Sequence, residues 1–229
     1  FEFDFQYLYD NIFLLFSYFM NQNIVKYSKN TIRLLCQSLD NGNIIAVPTD
    51  TVYGLIADAH NENAVNKIFK AKLRPKKLPL IIFVPSLNAA KKIGFFSKED
   101  IQLAKVFWPG DLTLVVKKKK KNIFYGHKAF STIGIRIPKH KALLDLLKNY
   151  RKPLASTSAN NHKQVAPTHI DKLDIISNNY ISYALSSLHK IEGTESTIVS
   201  FINKKIEIIR KGRITSKMLN NALKSQQKH

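Results

Sequence analysis

Ile44-Ile45-Ala46-Val47-Pro48-Thr49-Asp50-Thr51-Val52-Tyr53-Gly54 passes within eleven residues from four consecutive apolar side chains to two hydroxyls, a carboxylate and a phenol. Ile44 to Val47 has the length and composition of a strand buried on both faces, and Pro48 ends it. The polar turn therefore sits at the carboxyl end of a buried strand, where open α/β sheets place their ligands. A second reading of the turn stays open at this level. Thr and Asp side chains also satisfy their own backbone groups in turns.

The segments on either side alternate between helix and strand patterns. Ile32, Leu35, Cys36 and Leu39 recur at helical spacing, and Gly42 closes them. Ala64, Val65, Ile68 and Phe69 mark a second helix, which ends before Arg74-Pro75 because a residue preceding proline leaves the helical region. Ser97 with Asp100 three residues later predicts a capping box for a helix running to Phe107. Ala142 to Leu147 belongs to another helix, and Thr215 can cap a last one through Leu223. Leu80–Val84, Leu112–Val116, Ile133–Ile137, Leu154–Thr157, Tyr180–Ala184, Ile198–Phe201 and Ile206–Ile209 are expected strands. No repeat or long linker interrupts the alternation. It predicts one α/β domain with a largely buried, mixed sheet.

The chain has 229 residues and 45% hydrophobic content, enough for a sizeable core. It carries 36 Lys and Arg against 16 Asp and Glu, a formal charge of +20. That balance points to a polyanionic partner: RNA, DNA, nucleotide phosphates or an anionic membrane face. Thirty of the 36 cations are Lys, and Asn, Ile, Phe and Tyr are abundant, so a genome rich in AT codons also accounts for much of the excess. Cys36 is the single cysteine, which excludes an internal disulfide or a Cys-based zinc site and fits a reducing cytoplasm. The seven His show no helical metal spacing, and no run of ~18 apolar residues predicts a membrane span.

Residues 1–19 differ from the rest. They hold nine of the 24 aromatics, three acids and no Lys or Arg, and without them the formal charge is +23. The apolar run from Ile12 to Phe19 lacks the basic start and cleavage site of a signal peptide. The expectation is that the functional domain comprises residues 20–229, starting near Met20, and that 1–19 is an extension. An amphipathic anchor is the alternative.

No Walker A sequence, Gly-x-Gly-x-x-Gly, Gly-x-Ser-x-Gly or His-Glu-x-x-His occurs. Five other loops could carry chemistry. Pro48–Gly54 is the first. In the second, Lys72-Leu73-Arg74-Pro75, a cation pair two apart points to one side if the chain is extended there. A solvated basic loop is its other reading. Ser156-Thr157-Ser158-Ala159-Asn160 offers hydroxyls and an amide to phosphate or ribose, or forms a simple turn. Gly193-Thr194-Glu195-Ser196-Thr197 enters a strand, and Arg210, one of six Arg, ends one. The Lys117–Lys121 run reads as a solvated hairpin tip or an RNA backbone contact. Trp108 reads as a packing anchor.

Taken in order, Pro48–Gly54, Lys72–Pro75, Trp108-Pro-Gly-Asp-Leu-Thr113, Ile135-Arg136-Ile-Pro138, Ser156–Asn160 and Glu195-Ser-Thr-Ile198 resemble the YrdC/TsaC family of threonylcarbamoyl-AMP synthases. The resemblance runs from about Asn23 to Gly212. It implies a single YrdC-like α/β domain, a twisted mixed sheet with flanking helices around a large basic cleft, in the short form of the family. It implies a nucleotidyltransferase, with L-threonine, bicarbonate or CO2, and ATP giving threonylcarbamoyl-AMP and pyrophosphate with Mg2+. In bacteria the TsaD–TsaB–TsaE machinery would then transfer the group to adenosine in tRNA, in the cytoplasm.

By position, the family's catalytic tetrad falls on Lys72, Arg74, Ser158 and Asn160, as nucleotide and phosphate contacts. Thr132 and Arg210 resemble further ATP contacts. Thr51, Arg136, Ser156 and Ser196 match the threonine site, with Arg136 pairing the carboxylate. No residue is expected to ligate a resident metal. Three departures stand out. Leu78 and Phe83 replace the Asn and His of many relatives, and Asn161-His162-Lys163 lacks the usual Gly turn after Asn160. Two rival readings remain: a non-catalytic YrdC-like RNA-binding or assembly module, for which charge alone would serve, and a carbamoyl-adenylate transfer of the hydrogenase-maturation type. Weak tRNA affinity could ride on the surface Lys in either case.

Overall fold

The stretch from Ile44 turns out to be two strands joined by the polar turn. The computed structural model describes residues 24–119, 124–127, 129–160, 164–173, 180–187, 191–203 and 205–224. Its first elements are β1 (Ile24–Val25), α1 (Lys29–Asp40), β2 (Ile44–Pro48), β3 (Tyr53–Asp58), α2 (Glu62–Ala71) and β4 (Ile81–Phe83). Next come α3 (Leu87–Ile93), β5 (Gly94–Phe95), α4 (Lys98–Phe107), β6 (Leu112–Lys118), β7 (Thr132–Arg136) and α5 (Lys141–Tyr150). The remainder are β8 (Leu154–Ser158), a 3-10 turn at Ile170–Lys172, β9 (Ile181–Leu185), β10 (Thr197–Ser200), β11 (Glu207–Arg210) and α6 (Ser216–Lys224). The expected extension at 1–19 and the start at Met20 lie outside the described residues.

Local chemistry accounts for most boundaries. Ser28, Asn61 and Ser86 cap α1, α2 and α3 by accepting from the amides of Thr31, Ala64 and Ala89. Both arms of the Ser97–Asp100 capping box form, at 3.0 and 2.9 Å. Thr215 Oγ1 accepts from Met218 N at 3.3 Å and starts α6.

Four elements were not anticipated: β3, α3 and the two-residue strands β1 and β5. β3 is the informative one. Every residue of it is buried, so its pattern Tyr53-Gly-Leu-Ile-Ala-Asp58 shows no alternation and merges with the polar turn before it. β6 also runs on to Lys118, because Lys117 and Lys118 pair with Phe95 and Gly94 of β5. The described end of the Lys run is accordingly not a free solvated tip. Lys118 Nζ donates to His127 O at 2.6 Å, and Lys119 Nζ donates to Lys91 O at 2.7 Å and lies over the Phe95 ring. Lys120 and Lys121 fall outside the described residues.

One eleven-stranded sheet runs β1-β9-β2-β3-β8-β4-β7-β6-β10-β11, with β5 on the side of β6. β4/β7 and β6/β10 are parallel, while β2/β3, β3/β8 and β6/β7 are antiparallel, so the sheet is mixed as expected. The pleat sorts side chains between two cores. Ala46, Leu55, Ala57, Ile82 and Ala155 face one way, toward Val65 and Ile68 of α2. Ile45, Val47, Ile56 and Leu154 face the other way, toward Ile32, Leu35 and Leu39 of α1 and Leu143 and Leu146 of α5. Among the described residues no helix is long and apolar enough to cross a membrane.

The second face carries the site. Ser156 stands opposite Ile56 and Ile81, Ser158 opposite Gly54, and Gly134 opposite Ile81. These small and polar residues therefore continue, along the strands, the face that α1 and α5 cover at Ile56 and Leu154. Beyond the helices that face opens onto a cavity.

Candidate active site

The cavity measures about 310 Å³ and lies over the cleft face of β3, β8, β4 and β7. Four groups of residues reach it: the β2–β3 turn, the end of α2, the end of β8, and the segment from Glu195 to Arg210. Of the ten sequence-predicted site residues, Lys72, Arg74, Ser158, Asn160 and Arg210, suited to phosphate, line it. Thr51, Arg136, Ser156 and Ser196 line it as well.

Thr132 does not line the cavity. It shares a face of β7 with Gly134 and Arg136, but at the far end of the strand, about 13 Å along from Arg136. Of the three departures from the family pattern, Phe83 lines the cavity and Leu78 does not, though Leu78 O receives Arg74 Nε at 3.4 Å. Asn161–Lys163 lie outside the described residues.

The β2–β3 turn is organised by Thr49. Its hydroxyl accepts from the amides of Thr51 and Val52 at 3.0 and 3.1 Å and donates to Val52 O at 2.6 Å. The second reading of this turn thus holds for Thr49, whose hydroxyl also lies 2.9 Å from Thr51 Oγ1 and so fixes that side chain at the cavity wall. Arg136 arrives from β7 with its side chain buried. Its Nε donates to Gly110 O at 2.9 Å, Nη1 to Thr51 Oγ1 at 2.9 Å and Nη2 to Asp50 Oδ1 at 2.7 Å. Three of the five guanidinium N–H groups are thereby used, and one N–H on each Nη is left for a ligand. The Trp108–Gly110 turn does more than pack. Trp108 Nε1 donates to Leu112 O at 2.6 Å, and the turn presents the Gly110 carbonyl that aims Arg136.

Lys72 and Arg74 face the cavity by a different device from the extended chain expected of them. Lys72 is helical and Leu73 takes φ +50°. Arg74 N donates to Phe69 O at 2.9 Å and Leu73 N to Lys70 O at 3.1 Å. This is a Schellman close to α2, with Leu73 at the left-handed position where glycine is usual. The tight turn, not extension, swings both cations inward and throws the Leu73 side chain out to 83% exposure. A branched or bulky residue pays conformational strain there, and such strain concentrates at functional sites.

Lys72 is 2% exposed. It donates to the backbone oxygens of Ser158 and Asn160 and to Asn160 Oδ1 at 2.8 Å. Ser158 Oγ donates to the same Oδ1 at 2.6 Å, which fixes the orientation of the Asn160 amide. The amide nitrogen donates onward to Gln164 O. Burial, with Arg74 alongside, pushes Lys72 down to about 7, and Glu195 works against this. Arg74 and Arg210 are lowered by the same burial, again with Glu195 opposing. Both remain cations, since arginine starts far above neutrality.

Ser196 is held from two sides. Its Oγ lies 2.9 Å from Thr113 Oγ1 and accepts from Arg210 Nη2 at 2.9 Å. Gly212 permits this close layering, for a Cβ there would meet Glu195 O at 2.4 Å and Thr197 N at 2.5 Å. Asp50, Gly110, Thr113, Gln164 and Glu195 are participants to which no role was assigned from the sequence. Asp50 was visible as the carboxylate of the β2–β3 turn, Gly110 and Thr113 as members of the Trp108–Thr113 motif, and Glu195 as the acid of the Glu195–Ile198 motif. Gln164 acts through position, and no sequence signal marks it.

Among the described residues no group of three His, Cys, Asp or Glu could hold a metal. Among the described residues Glu195 is the only acid lining the cavity. That donor set fits a Mg2+ carried in on the phosphates of a nucleotide, which keeps most of its own waters. It does not fit a metal held by the protein alone.

Comparison with known proteins converges with this geometry. The Sua5/YciO/YrdC family model, described as telomere recombination, matches residues 37–212. A threonylcarbamoyl-AMP synthase of Pyrococcus abyssi is 39% identical over 140 residues, which is 60% of this chain and 41% of that protein. A threonylcarbamoyl-AMP synthase of Bacillus subtilis is 33% identical over 178 residues, 77% of this chain and 51% of that protein. The chain thus spans about half the length of these relatives. The crystal structure of P. abyssi Sua5 complexed with L-threonine superposes with a TM-score of 0.81 and 30% identity, over 88% of this chain and 60% of that one.

Proposed function

The chain belongs to the Sua5/YciO/YrdC family, and on that premise we propose that it is a threonylcarbamoyl-AMP synthase, a nucleotidyltransferase acting on L-threonine, bicarbonate or CO2, and ATP. One observation carries this reading. The cations and amides suited to phosphate (Lys72, Arg74, Ser158, Asn160, Arg210) and the groups suited to an amino acid (Thr51, Arg136, Ser156, Ser196) line one cavity of about 310 Å³.

The chemistry follows from those groups. The two N–H bonds left on Arg136 receive the threonine carboxylate, with Thr51 beside them. The threonine amine adds to CO2 and loses a proton, giving a carbamate. A carbamate oxygen then attacks the α-phosphorus of ATP, the bond to the β-phosphate oxygen breaks, and pyrophosphate leaves. Negative charge grows on the phosphoryl oxygens in that step, where Lys72, Arg74 and Arg210 stabilise it and hold the reactants in line. Mg2+ would enter on the nucleotide and neutralise phosphate charge. Thr132 would meet ATP only if the nucleotide extends along the cleft face of β7 past Gly134.

Residues 20–229 form the catalytic domain in this reading, and the cytoplasm is its place of action. The acceptor of the product is the TsaD–TsaB–TsaE machinery that modifies tRNA, and any direct tRNA affinity is weak. The non-catalytic alternative is less well supported. A module that binds RNA by charge has no use for a buried Lys72 with three oxygen partners or for an Arg136 clamped from three sides.

Pyrophosphate release, assayed with each substrate omitted in turn, tests the reaction. Release should need threonine, bicarbonate and ATP together. Release that persists without threonine would overturn the assignment.

A further inference from the structure

Glu195 stands where a phosphate-binding cavity has least use for an acid. Four cations line the same space: Lys72, Arg74, Arg136 and Arg210. Glu195 Oε2 accepts from Arg210 Nη1 at 2.7 Å. Two more of that guanidinium's five N–H groups go to the next residue, Nε to Ser196 O at 3.0 Å and Nη2 to Ser196 Oγ at 2.9 Å, which leaves one N–H on each Nη. The Ser196 bonds tie Arg210 to its own sheet whether or not a ligand is present. The Glu195 bond takes an Nη1 donor and balances the Arg210 charge, and a ligand reaching the remaining N–H groups would compete with it for both.

Two further features bear on this. The Glu195 side chain is 36% exposed, so it has solvent to turn into. Its charge also reaches Lys72 and Arg74, where it offsets the mutual repulsion of cations crowded without a ligand. Once a polyphosphate is bound, that service is redundant and the carboxylate becomes a like charge beside it.

We propose that Glu195 is an internal counter-ion that holds Arg210 in the empty cavity, yields it to the polyphosphate of the nucleotide, and reclaims it as pyrophosphate departs. This rests on the cavity being a nucleotide site. Glu195 is then a positioning residue that trades affinity for product release.

Calorimetric titration with inorganic pyrophosphate, without Mg2+, tests it on the full chain. Glu195→Gln should bind pyrophosphate about two- to fivefold more tightly than wild type, the size of a partly exposed ion pair, and with a steeper salt dependence. Under turnover the same variant should show a correspondingly lower inhibition constant for product pyrophosphate. Glu195→Asp, which keeps the charge but shortens its reach, should fall between the two. Glu192→Gln removes an acid that pairs with Arg213 at 3.0 Å outside the cavity, and it should leave the affinity unchanged. Equal or weaker binding by Glu195→Gln, as expected of a structural residue or of a Mg2+ ligand, overturns the proposal and leaves the synthase reading intact. Equal tightening by Glu192→Gln overturns it too. A wild-type chain that binds neither pyrophosphate nor ATP defeats the nucleotide reading and this proposal together.

Discussion

Arg136 Nη1 donates to the hydroxyl of Thr51 at 2.9 Å, across 85 residues of sequence. The bond joins the carboxyl end of β7 to the turn after β2, and it places a cation and a hydroxyl side by side at the cavity wall. Asp50, on the same turn, takes Nη2 and also accepts from Lys139 N at 2.9 Å. The guanidinium is thus oriented before any substrate arrives.

Orientation is what a lysine could not reproduce. Arg136→Lys keeps the charge but loses the planar fork. The KM for threonine should rise by about tenfold or more, while ATP affinity measured by calorimetry stays within about twofold. An equal loss for both substrates would show that Arg136 serves the whole cavity and not the amino acid.

Lys72 and Arg74 should be indispensable to turnover. Lys72→Ala or Arg74→Ala is expected to lower threonine-dependent pyrophosphate release on the order of a hundredfold or more, with the far-ultraviolet circular dichroism spectrum unchanged. Near-normal rates in both variants would refute the placement of the reaction in this cavity.

The depressed Lys72 makes binding sensitive to pH. Its ammonium sits near 7 in the empty cavity against an ordinary 10.5, and a bound phosphate favours the charged form. Above neutrality, ATP binding must therefore draw a proton onto Lys72, and affinity should decline as pH rises through about 7. Calorimetry at about pH 8.5 in two buffers of different ionisation enthalpy should register that uptake. Lys72→Ala should abolish it, and wild-type binding without uptake would contradict a neutralised lysine.

His127 should govern part of the acid stability. It is fully buried, with Nε2 bonded to Leu80 O, and burial pushes it down to about 4 from 6.5. Between those values the unfolded chain binds a proton that the folded chain refuses. Stability is then fully present above about 6.5 and is lost as pH falls toward 4, by on the order of 3 kcal/mol. Denaturant titrations across that range should show the decline, and His127→Gln, which still can donate to Leu80 O, should flatten it.

Most helices and strands were legible because their signals are local. The spacing of Ile32, Leu35 and Leu39, the Ser97–Asp100 box and the unbroken run Ile44–Val47 each depend on a handful of neighbours. β3 was not legible, because a strand buried on both faces has no periodicity and Val52–Asp58 continues a turn of similar composition. The cavity residues were mostly legible as chemistry: nine of the ten predicted side chains line one space. Thr132 was assigned by position in a motif, and position in a motif does not say how far along a strand the cavity reaches.

By itself, then, the sequence determined most of the elements, the largely buried mixed sheet and the polar and basic loops that could meet a phosphate. These follow from composition and spacing within short windows, whereas the groups suited to an amino acid were marked by the resemblance to a family. Tertiary structure alone decided how those groups are aimed. It put Leu73 in a left-handed turn so that Lys72 and Arg74 point inward, set the Gly110 carbonyl against Arg136, and placed Glu195 on Arg210. Each of these depends on surfaces brought together from distant parts of the chain, and such contacts exist only once the sheet has formed its order.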